Sequence, residues 1–232
     1  GRPNEDTDVV VLDPETGEEC ERARFGEGRV LLNATAAIGE IEGRDGLSRI
    51  EGYYANPEAT TERGRDGWDW SGDLGYRDEE GTFYFAGRTV DWLRVDGENF
   101  AAGPVEAVLA RYPGVRGVVV YAAPDPRTGD QVMAALELAP GGFDPEAFAA
   151  FLAEQPDLGT KWAPRFVRLV EVIPLTATGK VDRKPLRVER WDTDDPLWWR
   201  PAPAALYRRF TNADAEALRT AFADAGREGM LT

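Results

Sequence analysis

The chain has 232 residues, 42% hydrophobic and 30% charged, with a formal net charge of −15. That length allows one large domain or two modest ones around a buried core. The negative charge argues against sequence-independent binding to nucleic acid or anionic membrane surfaces, which needs clustered Lys and Arg. With no histidine and a single cysteine, Cys20, the sequence excludes intrachain disulfides, histidine general bases and Ser/His/Asp or Cys/His triads, and it lacks the usual zinc ligands.

No apolar stretch reaches the length of about 18 residues that a membrane helix needs, and no charged leader precedes an apolar segment at the start. The chain reads as soluble and cytoplasmic, with peripheral membrane association left open. Gly1 to Asp8 (GRPNEDTD) is polar and lacks an initiator Met, which predicts a piece of a longer protein.

Val9 to Leu12 is a β-branched run stopped by the turn signal Asp13-Pro14-Glu15-Thr16-Gly17, and Arg29 to Leu32 is a second short apolar run; both predict strands of a small β-rich unit. Ile38 to Ile41, Gly52-Tyr53-Tyr54, Asn56 to Thr60 and Gly67-Trp68-Asp69-Trp70 follow as short segments divided by Gly and Pro, with one helical turn starting at Pro57. Thr82 to Ala86 and Trp92 to Val95 are apolar-aromatic runs flanking Gly87-Arg88-Thr89-Val90-Asp91, and the Asp96-Gly97 pair predicts a tight turn. A domain boundary near Thr89 to Asp91 fits this pattern, giving units 1–89 and 90–232.

Beyond the boundary, Pro104 suits the first position of a helix whose apolar stripe is Val105, Val108, Leu109 and Tyr112, ended by Pro113-Gly114. Val118 to Ala122, Val132 to Leu138 and Phe166 to Val172 read as strands, and Asp144-Pro145 opens an amphipathic helix. A charged helix follows around Asp182 to Arg190, and Asn212 to Ala225 has helical spacing. The mixed order predicts an α+β domain with a mixed sheet and flanking helices. Trp191, Trp198, Trp199 and Tyr207 predict packing of the tail onto that domain, or else a partner-binding surface of a non-catalytic module.

Several residues suit chemistry. Asp73, between Gly72 and Leu74-Gly75, places an acceptor-only carboxylate in a tight turn where it could bind a vicinal diol, or serve as an Asx turn or cap. Arg88 follows a strand and suits a phosphate or ribose oxygen, or a surface pair with Asp91. Gly97-Glu98-Asn99 is a ligand-approach loop or a plain hairpin turn. Thr176 to Lys180 looks like a phosphate loop, but a P-loop requires Gly at 174 and Ser or Thr at 181, where Pro174 and Val181 stand. Taken alone, Lys180 is either a solvated surface cation or a ligand group.

In order, GYYANPEAT, GWDWSGDLGYRDEEGTFYFAGRTVDWLRVDGENFAAGPVE and PLTATGKVDRKPL resemble successive signature blocks of the adenylate-forming (AMP-binding) enzymes: acyl-CoA synthetases, luciferases and peptide-synthetase adenylation domains. The resemblance spans about Gly39 to Leu186, and the middle block is most similar to bacterial fatty-acyl-CoA synthetases of the fatty-acid transport protein type. It implies that residues 1–89 end the large adenylation domain, as part of a distorted β-barrel, and that residues 90–232 form the small mobile domain with the catalytic lysine.

The resemblance further implies that Asp73 binds the ribose hydroxyls of ATP and that Arg88 contacts the same nucleotide. Gly97, with Glu98 and Asn99, would line the passage for the pantetheine arm of CoA, and Lys180 would catalyse adenylation. Val90 stands where the family has an Asp or Lys hinge, with Asp91 next; either the pivot moves by one residue or the hinge lacks a side-chain hydrogen bond. The implied reaction joins a fatty or other carboxylic acid to CoA through an acyl-adenylate, using ATP and a Mg ion whose ligand lies outside this chain. A ligase loading a carrier protein is the alternative, disfavoured because no carrier segment follows the lysine block. The phosphate-binding loop and acyl pocket would lie upstream, so the purified 232-residue chain is expected to form no acyl-CoA; thioester formation by it in a CoA assay would overturn that expectation.

Overall fold

The computed structural model describes residues 1–4, 7–43, 64–65 and 68–231. The predicted segments Gly52-Tyr53-Tyr54 and Asn56 to Thr60, with the helical turn at Pro57, lie outside the described residues, as does Gly67. The chain divides into two compact units, Gly1–Trp92 and Leu93–Thr232.

The first unit is built on an antiparallel sheet of β1 (Val9–Leu12), β2 (Gly39–Gly43), β3 (Gly64–Arg65), β4 (Trp68–Arg77) and β5 (Phe83–Arg88). β4 pairs with β2 on one edge and with β3 and β5 on the other, and a short helix α1 (Ala34–Ala37) leads into β2. Among the described residues this sheet is open rather than closed into a barrel. The predicted strand at Arg29 to Leu32 does not form. Gly28 (φ 67°) and Arg29 (φ 62°) adopt left-handed backbone in a 3-10 turn, Glu27–Arg29, and Leu31 only bridges back to Phe25. A left-handed pair reverses the chain, which an extended strand cannot do.

The second unit opens within β6 (Trp92–Val95), which forms a hairpin with β7 (Glu98–Ala101), and β7 runs directly into α2 (Ala102–Leu109). α2 starts before Pro104 and ends at Leu109, short of Pro113. A proline within the first helical turn removes an N–H that has no intrahelical acceptor in any case. Its stripe is otherwise as read, with Val105, Val108 and Leu109 buried.

The unit's sheet has five strands in the order β12-β11-β10-β9-β8. β8 (Val115–Pro124) and β9 (Asp130–Leu138) form an antiparallel hairpin, and β10 (Phe166–Val170) lies parallel to β9. A parallel pair needs a crossover; here it contains α3 (Pro145–Ala153), whose N-cap Asp144 accepts from the amides of Glu146 and Ala147 at 3.0 Å each. α4 (Arg183–Glu189) follows the lysine loop, capped by Asp182.

The tail supplies β11 (Leu197–Trp199) and β12 (Arg208–Arg209), two strands with too few apolar alternations to be read from sequence, and then α5 (Asn212–Asp224). Phe222 and Trp191 are buried, and the Trp191 ring stacks on Phe166 (5.7 Å) and on Phe222 (6.1 Å). The core therefore includes the tail: Phe166, Leu186, Trp191, Leu197, Leu218 and Phe222 belong to one buried cluster. Arg168, buried in β10, holds the tail from beneath through Glu189 (2.5 Å) and Asp195 (2.7 Å). This packing favours an integral structural role for the tryptophans over a partner-binding surface.

α5 begins with a complete capping box of Thr211 and Asp214. The Arg208 guanidinium, aided by Thr211, holds the Asp214 carboxyl well below the usual carboxylate range. A depressed carboxylate stabilises the fold above its unfolded pKa, and that contribution is lost as pH falls through the folded value. Thr211→Ala should cost about 1 kcal/mol and Phe222→Ala about 3–5 kcal/mol in urea denaturation followed by tryptophan fluorescence.

Candidate active site

In the first unit, Asp73 lies within β4 rather than in a turn, directly opposite Arg88 of β5. Arg88 Nε sits 3.2 Å from Asp73 Oδ1, with side-chain exposures of 65% and 40%. The contact runs across the sheet, which the local spacing of Arg88 and Asp91 does not reveal. An exposed ion pair of this kind contributes at most about 1 kcal/mol, so both groups can turn to a ligand at small cost.

The strand is irregular where these groups emerge. Gly72 has φ +76°, and the β4–β5 register shifts between Leu74 and Gly75. Three hydrogen bonds fix the irregularity: the Gly72 amide donates to Glu40 Oε1 (2.6 Å), Thr89 Oγ1 donates to the Gly72 carbonyl (2.9 Å), and the Asp73 amide donates to Ser71 Oγ (3.0 Å). Glu40 is buried in β2, a supporting role that sequence reasoning missed because the alternation of β2 gave it no distinguishing neighbour. Thr89–Asp91 forms a 3-10 turn with Val90 67% exposed.

In the second unit, Asp96 (φ 50°) and Gly97 (φ 80°) form the β6–β7 turn, both in left-handed backbone as a type I′ hairpin requires. A Cβ at Gly97 would meet nothing within 4 Å. The demand for glycine within this unit is thus conformational, whereas the resemblance gives a steric reason tied to a bound pantetheine arm. Glu98 pairs with Lys161 (3.3 Å) and Asn99 is half-buried in β7.

Lys180 sits on a tight loop closed by a bridge between Leu175 and Val181. The Thr176 amide donates to the Lys180 carbonyl (2.7 Å), the Lys180 amide to Thr176 Oγ1 (3.2 Å), and Gly179 turns the chain with φ +78°. The base of the loop is fixed at both ends. Ile173 is buried and its amide donates to Glu137 Oε2 (3.0 Å). On the far side Arg183 donates to Glu106 Oε1 (2.7 Å), which also accepts from the Val120 amide (2.8 Å). The tip remains exposed, and among the described residues no carboxylate pairs with the Lys180 ammonium. Glu106, Glu137 and Arg183 were not singled out from sequence, since their partners are distant in the chain.

A free cation on an anchored loop and a glycine turn in the second unit, together with a carboxylate–guanidinium pair carried by the first, suit an enzyme that handles an anionic ligand. Residues 104–180 match the family described as AMP-binding enzyme C-terminal domain. The steroid-22-oyl-CoA synthetase of Rhodococcus jostii RHA1 is 49% identical across 100% of this chain, which spans 42% of that protein. The medium/long-chain-fatty-acid–CoA ligase FadD17 of Mycobacterium marinum is 47% identical over 82% of the chain, which spans 35% of it. Among solved structures, ATP-bound MatB from Rhodopseudomonas palustris superposes with a TM-score of 0.67 at 30% identity, covering 81% of this chain and 34% of that one. The chain belongs to the AMP-binding, adenylate-forming enzymes.

The conformational account of Gly97 is checked by substitution. Gly97→Ala should cost about 1–2 kcal/mol, the strain of an ordinary residue in left-handed backbone, and Gly97→Asn should cost less, since Asn tolerates that region. Thermal denaturation ranks the two; Asn costing more than Ala would contradict the account.

Proposed function

We propose that this chain is the lysine-bearing part of an enzyme that activates an apolar carboxylic acid, such as a fatty acid or a steroid side-chain acid, and transfers it to CoA. Residues 1–89 then belong to the end of the large adenylation domain and residues 90–232 to the small domain, which turns about Val90 and Asp91 between the two steps. The observation that carries this reading is Lys180, an unneutralised cation at the tip of a loop whose base is held by Ile173, Glu137 and the Arg183–Glu106 pair.

In the first step a carboxylate oxygen attacks the α-phosphorus of MgATP and pyrophosphate leaves, forming the acyl-adenylate. Negative charge gathers between carboxylate and α-phosphate, and the Lys180 ammonium would offset it. Asp73 offers carboxylate oxygens to both ribose hydroxyls, and Arg88 steadies the same nucleotide. A Mg ion would supply charge neutralisation at the ATP phosphates, held by residues other than those of this chain. In the second step the CoA sulfur gives up its proton and attacks the acyl carbonyl carbon, and AMP departs. Gly97, with Glu98 and Asn99 beside it, borders the path of the thiol arm. The two curated relatives, named for a steroid acid and for medium or long fatty acids, support an apolar acid.

A preorganised charge of this kind contributes about 3–4 kcal/mol to the barrier, or two to three orders of magnitude in rate. In the full-length enzyme, Lys180→Ala should therefore lower acid-dependent ATP–pyrophosphate exchange by roughly 100- to 1,000-fold while sparing CoA transfer from preformed acyl-adenylate. Unaltered exchange in the variant would refute the role. Asp73→Ala should raise the KM for ATP in the same exchange assay, with a smaller effect on the KM for the acid.

A further inference from the structure

The turn at Asp96-Gly97 is a weak point in an otherwise packed unit. Asp96 is a non-glycine residue in left-handed backbone, both turn residues are exposed, and nothing lies within 4 Å of a Cβ at Gly97. Such a tip would move freely unless another group tied it. One group does. Lys161 Nζ donates to the Asp96 carbonyl at 2.7 Å and lies 3.3 Å from Glu98 Oε1. The ammonium therefore grips the residue before Gly97 and the residue after it.

The segment that delivers this ammonium is itself fixed. The neighbouring Trp162 is 2% exposed and stacks on Phe100 of β7 with ring centroids 5.1 Å apart. The root of the hairpin is held separately, by the Arg94 amide donating to Asp130 Oδ2 (3.1 Å) and by a bridge between Val95 and Gly129. The hairpin would thus remain folded without Lys161, while its tip would lose its only charged tether among the described residues.

We propose that Lys161 is a positioning residue for the thioester-forming step: it sets the place of the Gly97 turn, and through that turn the path of the acceptor thiol. This rests on the reading of Gly97 as the border of that path. Lys161 touches neither the acid nor the nucleotide in this account. Its loss acts on the second half-reaction and leaves the first alone, which distinguishes it from Lys180.

The test uses the full-length enzyme with Lys161→Ala and Lys161→Arg. Acid-dependent ATP–pyrophosphate exchange reports the first half-reaction, and CoA titration against preformed acyl-adenylate reports the second. Lys161→Ala should leave exchange unchanged and lower kcat/KM for CoA by roughly tenfold, the factor that loss of one charge-assisted hydrogen bond carries. Lys161→Arg, able to donate to the carbonyl and pair with Glu98, should recover most of it. If Lys161→Ala does not fold, Lys161→Met, which keeps the length of the side chain but can neither donate to the Asp96 carbonyl nor pair with Glu98, should show the same selective loss. Equal falls in both half-reactions would mean mere structural support and overturn the proposal, as would unchanged CoA kinetics. Absence of exchange in the unaltered enzyme would refute the adenylation reading instead, and the proposal with it.

Discussion

The Glu106 carboxylate joins three elements of the second unit. It projects from α2, accepts the Val120 amide of β8 and pairs with Arg183 at the head of α4. Both partners are largely withdrawn from solvent, at 22% and 20% exposure, so removing either would strand a charge where water does little to screen it. The lysine loop ends where α4 begins. A loop that must present one cation to a ligand gains from a stiff base and a free tip, and this carboxylate supplies the stiffness.

The same division between fixed base and exposed tip recurs at the β6–β7 hairpin. Its root is bridged to Gly129 and packed on Trp162, while the exposed Asp96-Gly97 turn is held by Lys161 alone among the charged groups of the described residues. In the first unit, a bulged strand held by Glu40, Thr89 and Ser71 brings out Asp73 and Arg88. In each place the backbone departs from regular geometry at a glycine, and polar side chains from other elements hold the departure. Strain kept in this way costs stability that packing elsewhere must supply.

Much of that packing comes from the tail. β11 and β12 extend the sheet, and the Trp191 and Phe222 rings close over Phe166. The paired carboxylates of Glu189 and Asp195 let Arg168 remain charged inside the unit, the usual condition for a buried guanidinium. Trp191 is buried and Trp199 packs against the rings of Phe166 and Phe210, so both serve the core of the unit.

Much was legible in the sequence where the deciding interactions are local. The Val9–Leu12 and Trp92–Val95 strands, the Asp144 and Asp182 caps, the Asp96-Gly97 turn and the α5 periodicity all depend on neighbours within a few residues, and each appears where its signal stands. The ordered signature blocks likewise identified the family. What the sequence left undetermined depends on residues far apart in the chain. The Arg29 to Leu32 run turned back on itself, Asp73 entered a strand opposite Arg88, and β11 and β12 formed only because β10 offered an edge. The anchors of the lysine loop and the Lys161 tether span dozens of positions, so no local pattern encodes them. Local propensity fixes the turns and caps by short-range hydrogen bonding, whereas the site's supporting contacts exist only once the sheet and core have brought distant charges together.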